Sequence, residues 1–486
     1  MSQRQQVVIA ASLLFVVSGI LLFYRCGWRD VHSSHEARAA QNAQSMLHYR
    51  DARLPRLTDE QLDFQKPPLF YWVVAGIGWA RGQIDAWSVR LPSALSAFAC
   101  VVLVSGGLWR RQRSLAAVVA GLLLVTAHHF TSLGRTGRID MPLTLCVTAT
   151  IGGWVAGRWF CALGTLSAAA ALLLKGPVGL VLPLAVVSSW YLAQVIIDQE
   201  RPRFLPILAS SAGAILIAAP WYVMAHHITD GEFTRVFFWY HNFQRATGGA
   251  EALAVHPWWY YGLRLLIDTL PSALLLPVAL VYFFRRRLWN DREALFGLIW
   301  GASMMIVLSL SRFKRADYLV PAYPGWAIFL GCMVERCADS VSSMRRWILQ
   351  GIWRWSFAAV VGWFVYLHFV EAPSEMRREA KSFATAIRQI VPAPEPILLF
   401  RVESHPLAFH LGRPVHTLLE WENLDEWAGR ETPTYVVTTP ELAVEGPKHL
   451  RHGRLEVVLR RENHEKPLFL LRICRNTENA DGSSKR

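Results

Sequence analysis

Apolar runs long enough to cross a bilayer recur from residue 7 to about residue 370, and this recurrence constrains the fold more than any other feature. A hydrocarbon core of about 30 Å takes about 20 apolar residues in a helix rising 1.5 Å per residue. Inside that core each segment must satisfy its own backbone polar groups, so many such runs fold as a helical bundle. The spacing predicts spans over 7–24, 90–108, 115–133, 141–157, 160–174, 177–195, 205–225, 262–284, 294–311, 319–335 and 347–370. Composition agrees, with 53% of residues hydrophobic and 18% charged, where a soluble domain carries about 25% charged. The expected fold class is an α-helical polytopic membrane protein of about 11 transmembrane helices with a small C-terminal α/β domain.

The arginines orient this bundle. Clusters at Arg110, Arg111 and Arg113, at Arg158, at Arg201 and Arg203, at Arg285 to Arg287 with Arg292, and at Arg345 and Arg346 fall at alternate span ends. If those ends are cytoplasmic, the N-terminus is inside and the C-terminal domain is extracytoplasmic. The first run has no small-residue cleavage site and reads as an uncleaved anchor in the inner (plasma) membrane. The net charge of +14 is then explained by arginines meeting anionic lipid, not nucleic acid. Seven scattered cysteines without a C-x-x-C pair suggest no disulfide framework.

With that orientation, 1–370 is the transmembrane domain and 25–89 its first extracytoplasmic loop with juxtamembrane helices. Residues 371–475 form an extracytoplasmic α/β domain, predicted from one amphipathic helix and strands in "EPILLFRV", "TYVVTT", "RLEVVLRR" and "PLFLLRI". Residues 476–486 read as a disordered tail. The apolar run in "FQKPPLFYWVVAGIGWA" is too short to span, covering about 20 Å. It reads as a helix on the outer face, with Pro67 and Pro68 in its first turn. Lys66 then stands just before a helix N-terminus, an end that favours anions.

Cations should be scarce in outer turns, yet Arg135, Arg138, Lys175, Arg312, Lys314 and Arg315 all fall there. An anionic ligand at the outer leaflet would explain them, with Arg38, Lys66 and Arg245 from other outer segments. Snorkelling to headgroups is the competing reading of each cation singly. Glu36 and Asp140 are carboxylates at the membrane boundary and therefore candidate catalytic groups, with ion pairing as the alternative. Histidines such as His35, His241 and His256 are numerous and with Glu could bind a divalent metal, but no tight ligand spacing such as H-E-x-x-H occurs.

"HEARAAQNAQSML", "QKPPLFYW", "GRTGRIDMPL", "LLLKGPVGLVLPL", "PWYVMA", "FFWYHNFQR" and "KRADYLVPAYP" follow in this order. As a set they resemble the GT-C class of membrane glycosyltransferases, in the branch of the lipid A aminoarabinose transferases and the protein O-mannosyltransferases. The resemblance covers about residues 1–330. It implies transfer of a sugar from a polyprenyl-phosphate-linked donor to a lipid, glycan or protein acceptor on the extracytoplasmic face. It also implies that Glu36 matches the second acid of a D-E pair and Asp140 a later Asp. Arg38, Lys66, Arg245 and Tyr318 match residues associated with the donor phosphate, and His241 lies in a His-rich motif. Two positions depart from the pattern. His35 stands where relatives carry the first acid, leaving open whether Glu36, Asp140 or His35 takes a proton. Gln65 stands where an acid is linked to metal. The rival readings are a non-catalytic lipid-linked sugar transporter or flippase and a sensor or assembly scaffold.

Overall fold

The computed structural model describes residues 3–31, 33–57, 61–197, 199, 204–244, 247, 255–340, 342–402, 404–430, 434–462 and 465–475. Helix α1 (Gln3–Phe23) is followed by the short α2 (Ser34–Tyr49) and α3 (Leu69–Arg81). Then come α4 (Ala86–Arg110), α5 (Ser114–Thr126), α6 (His128–Gly134), α7 (Asp140–Val155), α8 (Arg158–Lys175), α9 (Val178–Ile197) and α10 (Leu205–Ile228). A π-helical stretch over Arg235–Gln244 precedes α11 (Tyr260–Asp268), α12 (Leu275–Arg285), α13 (Arg292–Leu310), α14 (Tyr323–Ser340) and α15 (Ser342–Val365).

Every expected span has helix in its place, but length and composition support fewer crossings. Among the described residues, six helices are long and apolar enough to cross a membrane, or up to seven if α5 and α6, bent by 70°, form one span. The expected 262–284 span is broken into α11 and α12 around Pro271, which has no N–H to continue the ladder. The 115–133 span breaks at Ala127, where the backbone turns extended, and the Thr131 hydroxyl donates to the freed Val125 carbonyl. Helix α7 has only 16 residues, and α14 carries Glu335, Arg336 and Asp339 in its last turns. As expected, the run after Lys66 is a short helix of 13 residues, but Pro68 is its N-cap, so both prolines precede the first turn.

The C-terminal domain is built from α16 (Lys381–Ile390), β1 (Ile397–Phe400), α17 (His405–Leu411), β2 (His416–Leu418), α18 (Trp421–Ala428), β3 (Thr434–Thr438), β4 (Gly453–Arg461) and β5 (Leu468–Arg475). The sheet order is β2-β1-β3-β5-β4, with β2, β1 and β3 parallel and the rest antiparallel. Alternation along β1 sorts the two faces. Ile397 and Leu399 pack with Phe383 and Ile387 of α16, while Leu398 and Phe400 pack with Trp421 and Leu424 of α18. The unforeseen strand β2 is three residues long and mostly exposed, so it carries almost no hydrophobic signal.

A buried ion pair joins α2 to the bundle. Ser33 caps α2 by accepting the Glu36 N–H at 3.2 Å. The Glu36 carboxylate meets Arg90 of α4 twice, at 2.7 and 3.1 Å, and accepts the Gly137 N–H at 2.9 Å. Arg90 also donates to the carbonyls of Cys26 and Arg29 at 3.0 Å and of Asp30 at 2.8 Å. The α6–α7 turn reaches this pair only because residue 137 is glycine: a Cβ there would lie 2.8 Å from the Val89 carbonyl oxygen. Arg135 secures the same corner by donating to Leu21 and Tyr24 carbonyls at 2.8 and 2.7 Å, capping the end of α1. The C-terminal domain docks on one flank of α2. Gln41 donates to the His405 carbonyl at 2.8 Å, His410 stands 2.9 Å from Asp30, and Arg29 pairs with Glu371 and Glu375.

Arg90 and Glu36 are 0% and 1% exposed, so removing one partner strands a buried charge. Arg90→Ala is expected to cost about 3–5 kcal/mol in detergent-solubilised unfolding, with part recovered by adding Glu36→Gln. An Arg90→Ala protein as stable as the parent would show that the pair braces nothing.

Candidate active site

Next to the brace, where α2, α6, α7, α8 and the segment before α14 meet, the polar side chains alternate in sign. Lys175, the last residue of α8, stands 2.8 Å from Asp140 Oδ1, and Arg138 Nε stands 3.2 Å from Asp140 Oδ2. Arg138 reaches on to Asp317 Oδ2 at 2.6 Å, and Arg315 meets the same oxygen at 3.2 Å. The other oxygen of Asp317 lies 3.2 Å from His129 Nε2. His129 Nδ1 is 3.1 Å from the Tyr323 hydroxyl, which donates to Asp268 at 3.4 Å, and Asp268 pairs with Arg264. The Lys175 ammonium also sits 4.1 Å from the centre of the Tyr318 ring, a cation–π distance. Two carboxylates, Asp140 and Asp317, are thus shared among three cations, Lys175, Arg138 and Arg315.

His35 closes the open end of this row. Its Nε2 lies 3.2 Å from Arg315 Nη2. A guanidinium can only donate, so Nε2 accepts and the proton of the neutral ring is on Nδ1. Partial burial, then the charges of Arg138 and Arg315, lower its pKa to about 4, although the side chain keeps an exposed face. Burial would raise the Asp317 carboxyl, but the His129 hydrogen bond and the charges of Arg138 and Arg315 hold it well below the usual range. Near neutral pH the row is therefore a neutral imidazole beside an ionised carboxylate.

The other sequence candidates divide between this row and its surroundings. Glu36 belongs to the brace, with both oxygens occupied. Arg38 lies outside the row and pairs bidentately with Asp63 at 2.7 and 2.8 Å. The Gln65 backbone N–H donates to Asp63 at 3.0 Å, and its amide oxygen, turned toward Arg38, accepts at 3.1 Å. Lys66 is half-buried in the bend before α3. Lys314 diverges from its neighbour Arg315: it is 3% exposed, and its ammonium donates to the carbonyls of His256, at 3.1 Å, and Ser311. His256 stacks on Tyr260 at 4.1 Å, and His241 lies in the π-helical stretch. Arg245 lies outside the described residues.

Among the described residues no three His, Cys, Asp or Glu side chains are grouped to hold a metal ion. Gln65 turns its oxygen to a guanidinium, and the acids of the row are ion-paired. Sequence reasoning missed Asp317, His129, Asp268 and Arg264. Only Asp317 carried a signal, as an acid two residues beyond the out-of-place Lys314–Arg315 pair.

The His35 arrangement sets a pH dependence of stability. Its folded pKa of about 4 lies below the ordinary value of about 6.5, so between them the unfolded chain binds the extra proton. Stability then falls as pH drops through that window. Thermal unfolding at pH 7 and pH 5 is expected to show a smaller acid loss in His35→Gln than in the parent. Equal losses would contradict the lowered pKa.

Residues 12–229 match the dolichyl-phosphate-mannose-protein mannosyltransferase family. An undecaprenyl phosphate-alpha-4-amino-4-deoxy-L-arabinose arabinosyl transferase from Pseudomonas fluorescens is 28% identical over 379 residues, covering 73% of this chain and 62% of that protein. The like-named enzyme from Pectobacterium atrosepticum is 28% identical over 364 residues, covering 70% and 61%. The chain thus spans somewhat under two thirds of these relatives' length. In fold it is similar to ArnT from Cupriavidus metallidurans, crystallised bound to undecaprenyl phosphate, with a TM-score of 0.81 at 19% identity over 97% of this chain and 98% of that one. The Archaeoglobus fulgidus oligosaccharyltransferase is more distant, with a TM-score of 0.56 at 11% identity over 91% and 70%. In sequence the chain is similar to these transferases over about 70% of its length, and in fold it is similar to ArnT.

Proposed function

We propose that the protein transfers a sugar from a polyprenyl-phosphate-linked donor to a lipid, glycan or protein acceptor, with inversion at the anomeric carbon. The observation that carries this reading is the row of Lys175, Arg138 and Arg315 opening beside His35 at one end of the bundle. The arginine-rich helix ends lie at the opposite end, which supports a cytoplasmic N-terminus and an extracytoplasmic site and C-terminal domain. The names of the relatives supply the donor class.

In the proposed reaction the acceptor oxygen attacks C1 of the sugar. The C1–O bond to phosphate breaks, and its electron pair leaves on the phosphate oxygen. Unit charges at 4 Å attract by about 4 kcal/mol at an effective dielectric near 20, so two cations favour that leaving group substantially. Arg315 is the most accessible cation of the row, with 38% of its side chain exposed. As it turns to the donor phosphate it releases the lone pair of His35 Nε2. The phosphate charge also offsets the two guanidiniums that lower the His35 pKa, so donor binding itself makes His35 a better base for the acceptor proton. Asp140 holds Lys175 and Arg138 in place, and Glu36 acts through the brace. Lys66, Arg38, Arg245 and Tyr318 remain proposed donor contacts from the family pattern, and any metal requirement is a separate proposal that these residues do not favour.

A carrier without chemistry would need the cations reachable from both membrane faces, but Asp140 and Lys175 are buried at one end of the bundle. Purified protein given labelled donor and acceptor should release the sugar from its lipid, and retention of label on the lipid would favour the carrier. In the same assay His35→Gln is expected to lower kcat by about 10²–10⁴-fold, and Asp140→Asn should also lose activity while remaining folded. Parent-like turnover in both variants would remove the assignment.

A further inference from the structure

A second polar cavity lies at the other end of the helices. Helix α13 runs from Arg292 to Leu310, just before Arg315 and Asp317, and α14 returns from Tyr323 to Ser340. A helix of 19 residues is about 28 Å long, so the two ends are about one hydrocarbon thickness apart. At the far end a cleft of about 720 Å³ is lined by Arg113, Arg286, Arg336, Arg345, Glu335 and Asp339, with the hydroxyls of Ser114 and Tyr282. That volume falls within the range of ligand pockets.

The charges in the cleft are not all spent on one another. Arg113 pairs with Asp291, Glu293 and Glu335, and Glu335 also accepts the N–H groups of Leu115 and Ala116 at 3.1 Å. Arg336 shares Asp291 at 2.7 Å, and Arg345 pairs with Asp339 at 3.0 Å. Arg286, exposed at the end of α12, makes no ion pair among the described residues. Arg286 is thus the lining arginine with no acid partner among the described residues, and the added hydroxyls are donors.

The surroundings are apolar where acyl chains would lie. On α12, Val278, Val281 and Phe284 are 69%, 52% and 51% exposed, and on α15 Met344 and Trp347 flank Arg345 at 42% and 63%. We propose that this cleft binds the phosphate headgroup of an anionic glycerophospholipid, with Arg286 as the open donor and the acyl chains along α12 and α15. A free phosphate ester shares the headgroup chemistry but would not use the apolar flanks.

The test titrates the purified full-length chain in neutral detergent with phosphatidylglycerol, phosphatidylcholine or glycerol phosphate. It reads lipid retention by native mass spectrometry and the shift in Tm. Phosphatidylglycerol should be retained and raise Tm, with Arg286→Ala weakening its apparent affinity about five- to tenfold. Arg287→Ala, an exposed neighbour outside the cleft lining, should leave it unchanged. Equal loss in both variants, equal retention of phosphatidylcholine, or stabilisation by glycerol phosphate without phosphatidylglycerol would each overturn the proposal.

Discussion

The buried pair of Glu36 and Arg90 is the contact on which the site's geometry depends. It brings together the end of α1, the start of α2, the first turns of α4 and the turn before α7. Such a pair is tolerated because nearly every oxygen and N–H it presents has a partner; an incomplete set would cost several kcal/mol. It also sets the orientation of α2. Successive residues of a helix point about 100° apart, so with Glu36 directed inward, His35 is turned to the exposed edge beside Arg315.

From that edge inward, each carboxylate of the row is shared between cations. The sharing keeps buried charges compensated while leaving the most exposed cation the easiest to redirect. Arg315 is held by Asp317 and a neutral imidazole, whereas Lys175 and Arg138 are fixed by Asp140. On the proposed reading, an incoming phosphate meets the most exposed cation first and the pair held by Asp140 behind it. Such a row cannot be assembled from one loop, and here it draws on the turn before α7, the first residue of α7, the end of α8 and the segment before α14.

Much of this was legible in the sequence. Spans are long local signals, and cations in turns that should be neutral directed attention to Arg138, Lys175 and Arg315. Local reasoning failed where geometry depends on distant partners. Lys314 and Arg315 are adjacent and look alike, but one is buried against carbonyls and the other opens to the site. His129 and Asp317 are partners across 188 residues, a separation no spacing rule bridges. Glu36 stood out as a boundary carboxylate, and only the structure revealed Arg90, which lies within an otherwise apolar helix, as its partner. The bends inside two expected spans were not legible, because hydropathy does not register the breaks at Ala127 and Pro271.

The central claim is that donor phosphate binding turns His35 from an electrostatically suppressed imidazole into a base. Its most direct test is an NMR titration of the His35 ring, assigned by comparison with His35→Gln, with and without a short-chain polyprenyl phosphate. The account predicts a pKa near 4 in the free protein that moves up toward about 6.5 in the complex. A His35 pKa that stays where it is when the phosphate binds would contradict it.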